Sequence, residues 1–324
     1  MEFPAAVFCR LVFQAHRYAG SKKTEAGAVA VDCGSSTNLT SHILNNATDA
    51  AALGSQCPTI WGNVLLGPNT TGSIDLDGVE NITGSIGVTG DYGSLLNTHI
   101  TSIESSSLLQ IGGYVDVHNA SMVQSISLPK LEGLPSIFSL ALLPALRRID
   151  LSSLQNCGTF FGIHGAPVLD DLTIPTSVQA GSKYGVNIAY TNLKSIDGFT
   201  SSSGGVYIAE NPQLSIVNLQ MTETVMKVAA NGTYIDGSGS LTIQSNSPAV
   251  NISLPNLAST NGSINLGNCS KLSMPSLSVV NGSLFIYNAS FSYLSLPNLS
   301  FINGTLNITG SFSGYASRMS LSPA

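Results

Sequence analysis

A short glycine-led segment recurs along this chain and constrains its fold more than any other feature. Gly62, Gly84, Gly113, Gly239, Gly262, Gly282 and Gly304 are each followed, two and four places later, by apolar residues: Val64/Leu66, Ile86/Val88, Val115/Val117, Leu241/Ile243, Ile264/Leu266, Leu284/Ile286 and Leu306/Ile308. Gly204 with Val206 and Ile208 obeys the same rule. Alternation of period two puts one face of a short strand in a core, and the leading glycine is expected to supply a positive φ. Six places after the glycine a turn-former closes the strand in most copies, as at Gly90, Asn119, Asn268, Asn288 and Gly310.

A second element trails the first: Ser127-Leu128-Pro129-Lys130-Leu131, Ser253-Leu254-Pro255-Asn256-Leu257, Ser273-Met274-Pro275-Ser276-Leu277 and Ser295-Leu296-Pro297-Asn298-Leu299, with looser copies at Leu143-Pro144-Ala145-Leu146 and Ile174-Pro175. Proline removes a ladder donor and fixes φ, so each copy marks a corner after a short strand, with the flanking Leu or Met directed inward. Successive units lie roughly 20 to 34 residues apart, room for two or three short strands per coil but for no regular helix in most of them. The predicted fold is all-β, a right-handed parallel β-solenoid with a short N-terminal helical cap. About ten coils at a spacing of about 4.8 Å make a rod roughly 50 Å long.

The cap is expected in Thr37 to Leu53, where Leu39, Ile43, Leu44, Ala47, Ala50 and Ala51 fall near helical spacing and would cover the open end of the first coil. Cys33 and Cys57 flank it. A disulfide between them, the alternative being two free thiols, implies an oxidising compartment. The chain thus divides into a leader at 1–32, a disulfide-tied cap at 33–61, solenoid repeats at 62–312 and a tail at 313–324. The leader holds Arg10, His16, Arg17, Lys22 and Lys23, and Arg10 interrupts the apolar stretch from Ala5 to Phe13 that a secretory signal would need. No run of about 18 apolar residues offers a membrane span, and the tail lacks the pattern of a lipid-anchor signal.

Only 9% of the 324 residues are charged, and 12 Lys plus Arg stand against 18 Asp plus Glu for a net charge of -6. No basic cluster could neutralise a phosphate backbone, which argues against nucleic-acid partners. The surface is built instead from Ser, Thr, Asn and Gly. Fourteen sequons of the form Asn-x-Ser/Thr, at Asn38, Asn46, Asn69, Asn81, Asn119, Asn231, Asn251, Asn261, Asn268, Asn281, Asn288, Asn298, Asn303 and Asn307, are drawn from 25 asparagines. Chance would supply about five or six. Asn261, Asn281 and Asn303 stand one place before the repeat glycine, while Asn119, Asn268 and Asn288 stand six after it. They are expected to bracket the same strand in two columns, either as glycan acceptors or as turn-formers whose amides stack. Coils about 4.8 Å apart leave little room for a glycan on each, so partial occupancy is expected.

Cys157 and Cys269 each follow an asparagine, at similar places in their repeats. Several coils separate them, so they are expected to be buried, unpaired thiols. The strongest catalytic candidates are His164 with Asp170 and Asp171, and Asp75 with Asp77. Adjacent Asp170 and Asp171 would point to opposite faces of a strand, whereas glycoside hydrolysis needs two carboxylates facing one sugar about 5 to 9.5 Å apart. Asp75 and Asp77 share a face but no His, Arg or Lys recurs near them to complete an acid and base pair. His16, His42, His99, His118 and His164 have no metal-ligand spacing, and no cofactor motif is present. Neither catalysis nor a cofactor is expected. A ligand-binding surface would need exposed aromatics on one side, with Tyr287, Phe291 and Tyr293 as candidates.

Cys33, Asp49-Ala50-Ala51-Ala52-Leu53, Cys57-Pro58-Thr59-Ile60-Trp61-Gly62, Ile74-Asp75-Leu76-Asp77-Gly78-Val79 and Ile82-Thr83-Gly84-Ser85-Ile86 resemble the start of fungal cell-wall proteins with receptor L-domain-like, leucine-rich-repeat-like repeats. Later coils such as Leu296-Pro297-Asn298-Leu299 to Gly304 fit the same family, so the resemblance covers about residues 33 to 310. It implies a secreted, heavily glycosylated, non-enzymatic protein held at the outer face of the plasma membrane or in the cell wall by a glycosylphosphatidylinositol (GPI) anchor. Its role would be wall integrity, in some members that of the ascospore wall, with wall polysaccharide or wall glycoproteins as partners. This chain shows neither the family's signal peptide nor its Ser/Thr-rich stalk and apolar tail, and the expectation is that the complete gene product differs at its ends. The alternatives are a receptor-like ectodomain and a β-helix enzyme acting on polysaccharide.

Overall fold

The computed structural model describes residues 31–88, 99–181, 184–200, 202, 204–221, 223–224, 239–247, 249–291 and 294–311. Residues 1–30 of the expected leader, the tail beyond Ser311, Cys9, Gly90, Asn231 and Tyr293 lie outside them. The described residues form a parallel β-solenoid of about ten turns with one short helix near its beginning. Each full coil runs through three faces. The first face is a continuous ladder from Thr40–Asn46 through Gly62–Asp75, Ile86–Val88, Val115–His118 and onward to Leu284–Ala289 and Leu306–Gly310. The second carries His99–Glu104, Ser125–Ser127, Arg148–Asp150 and Asp171–Thr173, then a separate four-stranded sheet beginning at Ser195–Gly198. The third runs from Thr59–Ile60 to Gln179–Ala180 and resumes at Glu223–Thr224. Strand Gly62–Asp75 is long enough to belong to the first two faces, which it joins into one 16-stranded ladder.

Strict register turns the sequence alternation into columns. Phe138 pairs with Val115 on one side and Phe161 on the other, and all three point inward. The Phe138 and Phe161 rings stack at 5.1 Å between centroids, and Phe199 meets Phe161 edge-on at 5.2 Å. Each coil contributes a layer of buried Leu, Ile and Val that only its two neighbours can cover, so burial along the axis is a nearest-neighbour matter.

The repeat glycines do not serve as expected. Gly62 has φ 137 and Gly239 φ 77, but Gly84, Gly113, Gly262, Gly282 and Gly304 are not in the left-handed region. Their requirement is proximity. A Cβ on Gly84 would stand 2.3 Å from the carbonyl oxygen of Gly62, and one on Gly282 would stand 2.7 Å from the carbonyl carbon of Gly262. Backbones stack at this corner more closely than any side chain permits. The residue that follows adds a hydroxyl ladder: the amides of Ser263, Ser283 and Thr305 donate to Oγ of Ser240, Ser263 and Ser283 in turn.

Positive φ is concentrated at the other end of the first face. Asn119, Leu142, Gly165, Tyr190, Glu210, Ser245, Asn268 and Asn288 follow consecutive rungs, and all have φ between 52 and 73. Of the turn-formers anticipated at this position, Asn119, Asn268 and Asn288 hold it, whereas Gly310 has φ 155 and pairs with Ala289. Leu142, Tyr190 and Glu210, however, occupy it without the glycine or asparagine that suits it.

Two further expectations are corrected. The stretch Thr37 to Leu53 is not one helix: Thr40–Asn46 is a strand paired in parallel with Gly62–Asp75, and the helix is Ala47–Gln56. Asn46 ends the strand and caps the helix, its Oδ1 accepting the amides of Thr48 and Asp49. The helix takes the place of a second-face strand in the first coil, so coiling begins within the segment assigned to the cap. Leu143-Pro144-Ala145-Leu146 is also not a copy of the Ser-Leu-Pro corner. It follows a first-face strand, whereas Leu128 to Leu131 and Leu254 to Leu257 follow second-face strands. Both corners use the same turn, with the amide of the last residue donating to the carbonyl of the first, at 3.1 Å in Leu143 to Leu146 and in Leu128 to Leu131.

Candidate functional site

Cys33 and Cys57 form a disulfide, with Cα atoms 5.5 Å apart, that ties the chain before the first rung to the end of the helix. Cys157 and Cys269 are unpaired and buried. They do not occupy similar places: Cys157 points inward from the third face between Leu134 and Ala180, whereas Cys269 follows the left-handed corner residue Asn268. Burial pushes both thiols up to about 12.

The sequon asparagines stand where their phase in the repeat puts them. Asn261, Asn281 and Asn303 follow third-face strands in three successive coils, and Asn281 Nδ2 donates to Asn261 Oδ1 at 2.8 Å. Asn268 and Asn288 close first-face strands in the left-handed column, with Asn288 Nδ2 donating to Asn268 Oδ1 and Asn268 Nδ2 donating to the Asn246 carbonyl at 3.0 Å. Asn119 occupies the same column farther down. Asn38, Asn69, Asn251, Asn298, Asn303 and Asn307 are exposed, and Asn46 and Asn81 are partly covered. Both earlier alternatives leave their mark here: amides stack, and the described sequon asparagines are exposed or partly covered rather than buried.

The catalytic candidates are not brought together. His164 lies on the first face, while Asp170 and Asp171 lie on the second, where Asp171 Oδ2 pairs with Arg148 Nε at 3.4 Å. Arg148 also reaches Asp150 at 3.4 Å. Asp75 and Asp77 are used by the backbone, Asp75 Oδ1 accepting the amide of Asp77 at 2.9 Å and Asp77 Oδ1 accepting that of Ser106 in the next coil. Among the described residues no three His, Cys, Asp or Glu side chains converge as a metal site would require. No described helix is long and apolar enough to cross a membrane.

Of the aromatic candidates, Phe291 is buried and Tyr287 is exposed on the first face. Sequence reasoning missed Tyr190 and Tyr207, which are exposed on the same side. The signal was available for Tyr207, since Val206-Tyr207-Ile208 alternates in, out, in.

Comparison with known proteins returns nothing: no family model, no curated protein and no solved structure matches the chain.

Proposed function

We propose that this chain is a non-enzymatic, secreted glycoprotein of the fungal cell surface that contributes to cell-wall organisation. The solenoid fold and the disulfide are compatible with a secreted protein. The observation that carries the reading further is the placement of sequon asparagines in columns along the outside of the rod. There one protein surface could display many glycans in a regular array. Low charge suits a carbohydrate-rich surrounding, and the resemblance of the first coils to fungal wall proteins supplies the setting. Attachment through a GPI anchor belongs to the same reading, as do wall polysaccharide and wall glycoproteins as partners.

The test is an immunoblot of the epitope-tagged protein in wall, membrane, medium and cytosol fractions, with and without endoglycosidase. A wall or membrane band that loses the mass of several glycans supports the reading. A single cytosolic band near 34 kDa, unmoved by the enzyme, refutes it.

A further inference from the structure

Three of the exposed large side chains gather on one part of the first face. Tyr190, Tyr207 and Tyr287 are 42%, 40% and 37% exposed. Tyr207 lies one rung from Tyr190, and Tyr287 leans back toward both. The Tyr287 hydroxyl donates to Gln244 Oε1, two rungs away, at 2.6 Å, and the Gln244 side chain lies close to the Tyr207 hydroxyl. Gly267 lies beneath the Tyr287 ring, where a Cβ would come within 2.5 Å of it. A ring laid over a glycine and fixed at its far end by a hydrogen bond lies flat on the sheet and turns one π face outward. Tyr190 packs edge-on against His164, with ring centroids 4.9 Å apart. It also holds φ 56, a left-handed conformation that a bulky residue adopts only under strain.

Electrostatics narrows the occupant. The seven first-face strands from Phe160–Ala166 to Leu306–Gly310 contain no Asp, Glu, Lys or Arg. Burial lowers the His164 pKa, so the ring is neutral at neutral pH. Glu210, at the corner on the rung after Tyr190, is a carboxylate close enough to act on Tyr207. Outside the rings the face offers Thr242, Asn265 and Asn307, neutral groups at one register position of the ladder. No cation there would neutralise a phosphate or an acidic peptide. Tyrosine provides rigid amphipathic contact area at low entropic cost, and its π face suits the C–H face of a pyranose while neighbouring amides and hydroxyls meet the hydroxyl rim.

We propose that the first face carries a binding site for an extended, uncharged polysaccharide, with Tyr190, Tyr207 and Tyr287 as stacking platforms and Gln244 as the group that holds Tyr287 in place. The choice of polymer rests on the cell-surface reading above, and the location of the site rests on the rings alone.

The test is retention of the full chain on insoluble β-1,3-glucan, chitin and α-mannan, with release by soluble fragments of the same polymer. The wild type is expected to be retained on at least one, and the Tyr207→Ala/Tyr287→Ala variant to lose tenfold or more in affinity. Phe301→Ala, which removes an exposed ring from the third face, is expected to bind as the wild type does. Gln244→Ala keeps all three rings but frees Tyr287, and a smaller loss is expected with an unchanged melting temperature. No retention on any polymer, or equal retention by the Tyr207→Ala/Tyr287→Ala variant, overturns the proposal. Wall localisation with glycans but without polymer binding would leave the surface reading standing and remove this site. Specific, tyrosine-dependent binding by a cytosolic, unglycosylated chain would do the reverse.

Discussion

Asn211 sits inside the solenoid with its Nδ2 3.1 Å from Oδ1 of Asn246, and that same oxygen accepts the Asn211 backbone amide at 2.9 Å. Asn211 Oδ1 in turn accepts both the amide and the hydroxyl of Thr191, at 3.0 and 2.7 Å, and Asn211 Nδ2 also reaches the Ile188 carbonyl. Three successive coils are thus stitched together by fully buried polar groups. Asn211→Ala leaves several of them without partners in a dry interior. It is expected to cost about 3 kcal/mol or more, read as a lower urea midpoint.

Leu142 pays for its position in the left-handed column without returning much burial, since it is 53% exposed. Leu142→Asn places a residue there that tolerates positive φ and is expected to stabilise the chain by about 1 kcal/mol. Thermal melts of the two proteins side by side provide the check. An unchanged or lower melting temperature would show that the contact of Leu142 with Gly165 matters more than the strain.

Burial lowers the pKa of His42 and His164 below the ordinary 6.5, with Asp32 opposing the effect at His42. The unfolded chain then binds more protons than the folded one as the solution is acidified, so stability rises with pH in this range. It is complete above about 6.5 and declines as pH falls through the lower folded values. Urea midpoints are expected to drop between pH 7.5 and 5.5, and His164→Gln is expected to shrink the drop.

With thiols pushed up to about 12, Cys157 and Cys269 are expected to resist alkylation at pH 8 in the native protein and to react in guanidinium. Peptide mapping after labelling distinguishes them from Cys33 and Cys57, which should be labelled only after reduction. The disulfide closes a loop with a sequence separation of 24. Cys33→Ser is therefore expected to cost about 2–4 kcal/mol.

Much of this architecture was legible in the chain because a solenoid repeats its demands. Val64, Ile86 and Val115 recur with the same alternation because each must fill the same column, and the phase of Asn261 and Asn281 betrayed their stacking before any coordinates did. What stayed hidden is what repeats do not encode. Gly84 looks the same in a sequence whether it serves a positive φ or a close approach of backbones. The corner at Leu143 and that at Leu128 use one turn at two vertices. The helix Ala47–Gln56 was blurred into the strand before it because Ile43 and Leu44 satisfy either period. The tyrosines were the hardest to see: Tyr190 and Tyr287 lie 97 residues apart in the numbering, and only the folding back of three intervening rungs puts them on one surface.

The register that lets Ser240 hold Ser263, and Ser263 hold Ser283, also dictates how the molecule would yield to force. Apart from the Tyr287–Gln244 bond across two rungs, the ladders described join each coil to its immediate neighbours, so a pull applied at one end meets them one at a time. Each coil of about 20 residues would pay out roughly 70 Å of extended chain before the next began to bear load. A rod built this way stretches in steps, as a tether that lengthens without parting.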